Sequence, residues 1–509
     1  MNLNPDELIA WGPGLAKVTW QAVGAQPPRG QLILISAMSP APVGEGKTTV
    51  AIGLLDALRR LGHSAVAALR QPSQGPVFGS KGGATGGGRA QLVPADSINL
   101  HCTGDFHAVT SAHNLLSAVI DNHLHRGHSK LDSRRLLWPR VLDVNDRALR
   151  QCLVGLGGPA HGLPRQERFE ITAASEVMAV LALAQDQQDL RRRLGNILVC
   201  PGVRAEELGA AGAMAALLRD ALLPNLVHTL EGSPVLLHCG PFANIAHGTS
   251  SVVATRLALS RADYVLQEAG FGADLGGEKF INIFARELGQ APSLAVVVVT
   301  VQGIKYHGGS LEQGLLNPLD QLRRLQRLGV PVVAALNPRA EDTPEELAWV
   351  LEQLRQHGHQ AFLTEVFGRG GEGALELAEY VAQPRPAAIL QHPYQPQQPA
   401  TEKIEAIARE VYGAEGVDYS VEAANQLRAL PPEPAYVCIA KTQYSISHDP
   451  SRRGLPGPFR LQVRALKVAA GAGMLVPICG DMQTMPGLSA HANYENIHLE
   501  ADGTISGLR

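Results

Sequence analysis

The octapeptide Pro42-Val43-Gly44-Glu45-Gly46-Lys47-Thr48-Thr49 lies between an apolar run, Leu32-Ile33-Leu34-Ile35, and a helix-length segment over residues 50–61. An apolar strand, a glycine turn and a helix in that order leave few folds open. The strand must be covered on both faces, and the turn must sit at its carboxyl end. There the glycines let backbone N–H groups close round an anion, and Lys47 neutralises charge on terminal phosphates. The Thr48 hydroxyl suits Mg2+, and the helix start adds its positive dipole end. Gly44, Glu45, Gly46, Lys47, Thr48 and Thr49 are therefore the candidate ATP-phosphate residues. The regular G-x-x-x-x-G-K-[ST] pattern is incomplete, because Ala41 replaces its first glycine and Pro42 stiffens the approach. A glycine-rich turn without a ligand is the alternative.

Further β-rich runs at residues 65–69, 196–200, 235–238, 264–267, 294–301 and 330–336 each precede a loop and a helix-length segment. This alternation predicts an α/β fold with a mostly parallel sheet around a phosphate-loop core. A chain of 509 residues, 45% hydrophobic, has room for two or three domains. The Gln/Pro-rich stretch over residues 383–400 reads as an extended crossover. It divides a nucleotide-binding core over 1–382, which is itself divisible in two, from a smaller C-terminal α/β domain over 401–509. A net charge of −3 spread along the chain offers no basic face to nucleic acid or an anionic membrane. The six cysteines form no CxxC pair, which argues against a zinc ribbon or a disulfide framework and fits a reducing compartment. No window approaches the ~20 apolar residues of a membrane span, and the first residues lack a basic leader, so a cytoplasmic location is expected.

A second glycine cluster fills residues 75–88 and ends at Arg89. Consecutive exposed N–H groups make an anion nest. Arg70, Lys81, Gly82, Gly83, Gly86 and Gly87 are thus candidates to hold a carboxylate or its phosphorylated product. A flexible surface loop is the alternative, against which Val77 and Phe78 within the run count.

Longer blocks carry a resemblance. They include Gly44-Glu45-Gly46-Lys47-Thr48-Thr49; Ile98-Asn99-Leu100-His101; Asp121-Asn122-His123; Gly240-Pro241-Phe242-Ala243-Asn244-Ile245-Ala246-His247-Gly248; Glu268-Ala269-Gly270-Phe271-Gly272-Ala273-Asp274; Lys441-Thr442-Gln443-Tyr444-Ser445; and Met485-Pro486-Gly487-Leu488. In this order, through nearly the whole chain, they resemble the formate–tetrahydrofolate ligase (10-formyltetrahydrofolate synthetase) family. The resemblance implies that ATP phosphorylates formate to formyl phosphate, whose carbon is then attacked by N10 of tetrahydrofolate. It implies Lys47 and Arg70 as the reacting-centre residues, with Arg70 gripping formyl phosphate, Mg2+ arriving with ATP, and a homotetramer.

Three departures from the family fall where it holds its acceptor. Gln71 stands for a glutamate, Arg339 for a phenylalanine and Phe367 for a tryptophan. They leave two alternatives: a paralogue that activates formate but formylates another amine, and a weakened ATP-binding protein.

Other residues invite plainer readings. His113, His123, His125 and His128 lie on a helix and its exit without acidic or thiol ligands to complete a metal site. His101 and His247 are either substrate-site or local hydrogen-bonding residues. Asp105 either caps the helix after it or orients Mg2+-bound water. Lys441 and Tyr444 are candidates to reach the nucleotide from the C-terminal side.

Overall fold

The computed structural model describes residues 1, 3–24, 27–79, 83–127, 131–430 and 434–508. The main sheet takes its strands from most of the first 363 residues: β1 (Leu8–Gly12), β2 (Leu15–Val18), β3 (Gln31–Ala37), β4 (Ala65–Leu69), β5 (Asn225–Thr229), β6 (Pro234–Leu237), β7 (Tyr264–Glu268), β8 (Leu294–Val299), β9 (Val332–Leu336) and β10 (Ala361–Leu363). Their spatial order is β1-β2-β5-β6-β4-β7-β3-β8-β9-β10. From β6 to β10 every pairing is parallel, whereas β1, β2 and β5 join antiparallel at one edge.

The central strands are apolar throughout because both faces are covered. In β3, Leu32 and Leu34 point into one core cluster, and Ile33 and Ile35 into the other. Helix α1 (Lys47–Arg60) covers the second face with nine consecutive buried residues from Val50 to Leu58. Its last turn carries Arg59 and Arg60, which suit the negative end of the helix dipole. Gly53 lies so close to Val366 that a Cβ there would meet it at 2.3 Å.

Two expected strands differ. Residues 196–200 give only Leu198–Cys200, which pairs antiparallel with Val203–Arg204 outside the main sheet. Pro201 and Gly202, the latter with φ +83°, turn the chain back before it reaches the sheet. The run at 294–301 stops at Val299, because the Thr300 hydroxyl accepts from Gly303 N (3.0 Å) and starts the helix Val301–Gly308.

Residues 383–399 contain no helix or strand. Beyond them a second sheet is built from β11 (Gly416–Tyr419), β12 (Tyr436–Val437), β13 (Arg460–Ala469) and β14 (Met474–Cys479), in the order β11-β13-β14-β12. One apolar cluster continues from Leu32 and Leu34 through Phe280 and Phe284 to Tyr412, Leu461 and Leu475. No helix among the described residues is long and apolar enough to cross a membrane.

A buried ion pair fastens the second sheet to the first. Lys441 Nζ donates to Asp274 Oδ2 at 2.7 Å, and the two side chains are 0% and 2% exposed. Burial pushes the Asp274 carboxyl up, but Lys441 and a hydrogen bond from Gln321 outweigh it and hold the group below its ordinary range. Removing one partner strands the other charge in the interior. Lys441→Met should therefore cost about 3–5 kcal/mol in urea denaturation at neutral pH; an unchanged midpoint would show that the pair does not carry this junction.

Candidate functional site

The phosphate loop leaves β3 and returns as α1. Gly44 and Gly46 take left-handed φ values of +77° and +75°, a region that side chains rarely adopt. Gly46 has a second reason to be bare, since a Cβ there would meet Asn337 Nδ2 at 2.5 Å. Asn337 donates to Glu45 O at 3.1 Å. Glu45, expected among the phosphate-binding residues, turns its carboxylate inward, accepting from Ala41 N (2.7 Å) and from the Thr300 hydroxyl. Its side chain therefore buttresses the loop from beneath. Burial raises the Glu45 carboxyl above its ordinary range.

The ends of β3, β4, β6 and β7 bring the remaining polar groups together. Arg70 follows β4, and Glu268 is the last residue of β7. Arg70 Nε donates to Glu268 Oε1 at 3.3 Å, and its Nη1 to Pro241 O at 3.3 Å. The Thr48 hydroxyl donates to Glu268 Oε2 at 2.8 Å. Cys239 and Phe271, just past β6 and β7, carry positive φ values of +54° and +61°. Backbone strain of this kind collects where loops are fixed for function.

Two cavities meet at these groups. The smaller, about 270 Å³, is lined by the phosphate loop, Lys47, Thr49 and Gly86. The larger, about 550 Å³, has apolar walls from Ile171, Phe242, Ile245 and Met482 and polar groups from Asn244, Thr442 and Asp481. Thr48, Arg70, Glu268, Phe271, Gln443 and Tyr444 line both. The second sheet thus contributes through Tyr444 and its neighbours. Lys441 does not reach the cavity: its three donors are taken by Asp274, Thr442 O and Ser445 O.

The second glycine cluster is only partly a nest. Lys81 and Gly82 lie outside the described residues. Gly83 borders both cavities and packs on Asn99, whose Oδ1 accepts from Ala84 N at 3.2 Å. Gly86 and Gly87 form a short strand paired antiparallel with Ala90 and Gln91, so their backbone serves a hairpin rather than an open anion site.

Gln71, Arg339 and Phe367 do not share one pocket. Gln71 borders the larger cavity, yet its side-chain amide donates to Asp105 Oδ2 at 2.6 Å. Asp105 in turn pairs with Lys17 (2.8 Å) and accepts from Asn225 Nδ2 (2.8 Å). Within that buried group one lysine balances one carboxylate, and a neutral amide fits where a second carboxylate would add unpaired charge. Arg339 reaches back to Gly44 O. Phe367 is 61% exposed beside Gly87 and Gly88. Neither Arg339 nor Phe367 lines either cavity.

Asp105 is neither a cap nor bonded to the Thr48 hydroxyl. It is the first residue of α2 (Asp105–Arg126), the cap position is Gly104, and its carboxylate serves Lys17. His113 is buried against Trp138 (ring centroids 4.0 Å) and bonds Pro139 O at 3.0 Å; burial lowers its pKa to about 3. No metal-binding cluster of histidine, cysteine or acidic side chains occurs among the described residues, and His128 lies outside them. His247 is fully buried over Phe284, and burial first, then Arg70, lowers its pKa to about 3. His101 bonds Gln74 on the surface.

Sequence reasoning placed Glu268 only in a matching block and gave it no role. Its signal is an acid at the carboxyl end of the strand Tyr264–Glu268, where ligands of parallel sheets collect.

The family model described as formate–tetrahydrofolate ligase matches residues 1–509. A formate–tetrahydrofolate ligase of Symbiobacterium thermophilum is 50% identical over 540 residues, covering 100% of this chain and 96% of its own. Those of Paracoccus denitrificans and Thermotoga petrophila are 48% and 46% identical, again over 100% of this chain and 96% and 98% of theirs.

Lys47 is half-buried at the start of α1, where it lines the smaller cavity. Burial lowers its pKa to about 8; Glu268 and Glu45 oppose the shift, and Arg70 adds to it. The charged ammonium that an anion needs is thus present below pH 8 in the free protein and lost above it. Triphosphate affinity, measured by calorimetry from pH 7 to 9, should fall through about pH 8; affinity that stays level across this range would show that Lys47 does not bear the anion.

Proposed function

The chain belongs to the formate–tetrahydrofolate ligase family, and from this premise we propose how its own residues carry out that ligation. It joins formate to tetrahydrofolate at the expense of ATP, giving 10-formyltetrahydrofolate, ADP and phosphate through formyl phosphate. The full-length identities favour this reading over a paralogue with another acceptor or a weakened ATP-binding protein. The observation that supports the assignment of roles is the meeting of two cavities at Arg70, Thr48 and Glu268.

ATP phosphates lie in the smaller cavity, against the amides of Gly44, Gly46, Lys47, Thr48 and Thr49. Formate is a stabilised carboxylate and a poor acyl donor. One of its oxygens attacks the γ-phosphorus in line, and ADP leaves. Lys47 and the loop amides stabilise the charge spread over the transferring phosphoryl oxygens. Arg70 binds the resulting formyl phosphate with a planar guanidinium that suits two oxygens at once. Gly83 and Gly86, which border the smaller cavity, stand on the side where this anion binds. The acceptor amine then attacks the formyl carbon, and phosphate departs. Walls that exclude water protect the anhydride meanwhile.

The donors suit Mg2+, since Thr48 offers a hydroxyl oxygen with a carboxylate 2.8 Å from it, and the smaller cavity's lining has neither imidazole nor thiol. Bound with ATP, Mg2+ would neutralise charge on the β- and γ-phosphates. For the acceptor, the exposed Phe367 ring beside Gly87 and Gly88 offers one stacking face, and Phe242, Phe271 and Tyr444 offer others on the cavity walls. Gln71 borders the larger cavity and bonds Asp105, and Arg339 braces the phosphate loop through Gly44 O. A core over 1–382, a crossover and a C-terminal unit, assembled as a cytoplasmic homotetramer, complete the reading.

The test is ADP formation from Mg-ATP and formate, with and without tetrahydrofolate, while formylated folate is quantified. Equal amounts of ADP and 10-formyltetrahydrofolate are expected; formate-dependent ADP without formylfolate would assign another acceptor. Lys47→Ala should lower kcat by at least about a hundredfold, the scale for losing a transition-state anion donor, with an unaltered circular-dichroism melt. A variant with near-normal formate-dependent turnover would remove the phosphate-loop assignment.

A further inference from the structure

Glu268 closes β7 between the two cavities with only 2% of its surface exposed. A carboxylate so buried requires partners, and its two oxygens are divided between groups with different tasks. Oε2 accepts from the Thr48 hydroxyl at 2.8 Å, and Oε1 from Arg70 Nε at 3.3 Å. Thr48 belongs to the nucleotide side and Arg70 to the formate side.

The direction of the Thr48 bond matters. A hydroxyl has one hydrogen and two lone pairs. With its hydrogen committed to Glu268, only lone pairs are left to face the phosphate cavity, which is what a cation requires. The carboxylate is also placed to accept from a water on that cation. Arg70 is fixed at the same time. Glu268 holds Nε, Pro241 O holds Nη1, and the guanidinium lies against Gly270, where a Cβ would come within 3.0 Å of Nη1.

We propose that Glu268 is a positioning residue that couples metal–nucleotide binding to formate capture, one oxygen setting Thr48 for the cation while the other sets Arg70 for the acyl phosphate. The inference rests on the family reading above.

Glu268→Gln separates the two contacts, because an amide has one acceptor oxygen and cannot receive hydrogens from both Thr48 and Arg70 in this geometry. The experiment measures Mn2+ binding by electron paramagnetic resonance in the complex with a non-hydrolysable ATP analogue, alongside the KM for formate, in the wild-type protein and the variant. Removing a group that orients a metal ligand typically costs ten- to a hundredfold in affinity. Both Mn2+ affinity and formate KM should therefore worsen by at least about tenfold, while metal-free analogue binding changes little. That last readout separates positioning from general damage to the fold. Glu268→Asp keeps the charge but withdraws it by one methylene, and should impair both quantities in the same direction if the glutamine variant fails to fold.

Mn2+ affinity and formate KM both unchanged would overturn the proposal, and a change in only one would overturn the coupling. Wild-type protein without formate-dependent ADP formation would instead overturn the family reading, so the two failures are distinguishable.

Discussion

Ser39, two residues past the end of β3, is held at every polar atom by the interior of the protein. Its N–H donates to Asn317 Oδ1, its carbonyl accepts from His307 Nε2, and its hydroxyl oxygen accepts from both Asn317 and Gln321. The same side chains reach onward. Gln321 bonds Asp274, the buried partner of Lys441, while Asn317 and His307 bond Gly454. One polar network thus fixes the start of the phosphate loop and docks the second sheet. Such a network suits catalysis because it is nearly fully satisfied in a low-dielectric interior, where any missing partner is costly. The loop is placed before substrate arrives, so little reorganisation is left for the reaction.

The same logic sets the electrostatics of the site. Glu45, Lys47, Arg70 and Glu268 line the smaller cavity, two acids beside two bases. Burial weakens the lysine's hold on its proton, and the acids restore part of it. An arriving polyphosphate then meets a partly desolvated cation.

The sequence departures at the acceptor side acquire different meanings in three dimensions. Gln71 looks like the loss of a charged ligand contact when read in line. In the fold it completes a buried group with Asp105, Lys17 and Asn225, and there the neutral amide is the compatible choice. Arg339 braces the phosphate loop through Gly44 O. Only Phe367 presents an open ring face.

The parallel core strands, helix α1 and the glycine turn that joins it to β3 were legible from residue order, because continuous apolar runs, glycine turns and helix periodicity are local signals. Local patterns misplaced residues 196–200, where a tight turn returns the chain, and they left Asp105 open between a helix cap and a metal-side role and Lys441 as a candidate to reach the nucleotide; both are spent on buried ion pairs. A charged side chain in a loop looks alike in sequence whether it meets ligand or a buried counter-charge. By itself, then, the sequence determined the fold class, the glycine turn after β3 and, through long blocks of resemblance, the family. Tertiary structure alone decided that Glu268 stands between Thr48 and Arg70, 220 and 198 residues away in the chain. The physical reason is that strand order within a sheet, set by packing and crossover handedness, brings together strand ends that residue order keeps apart.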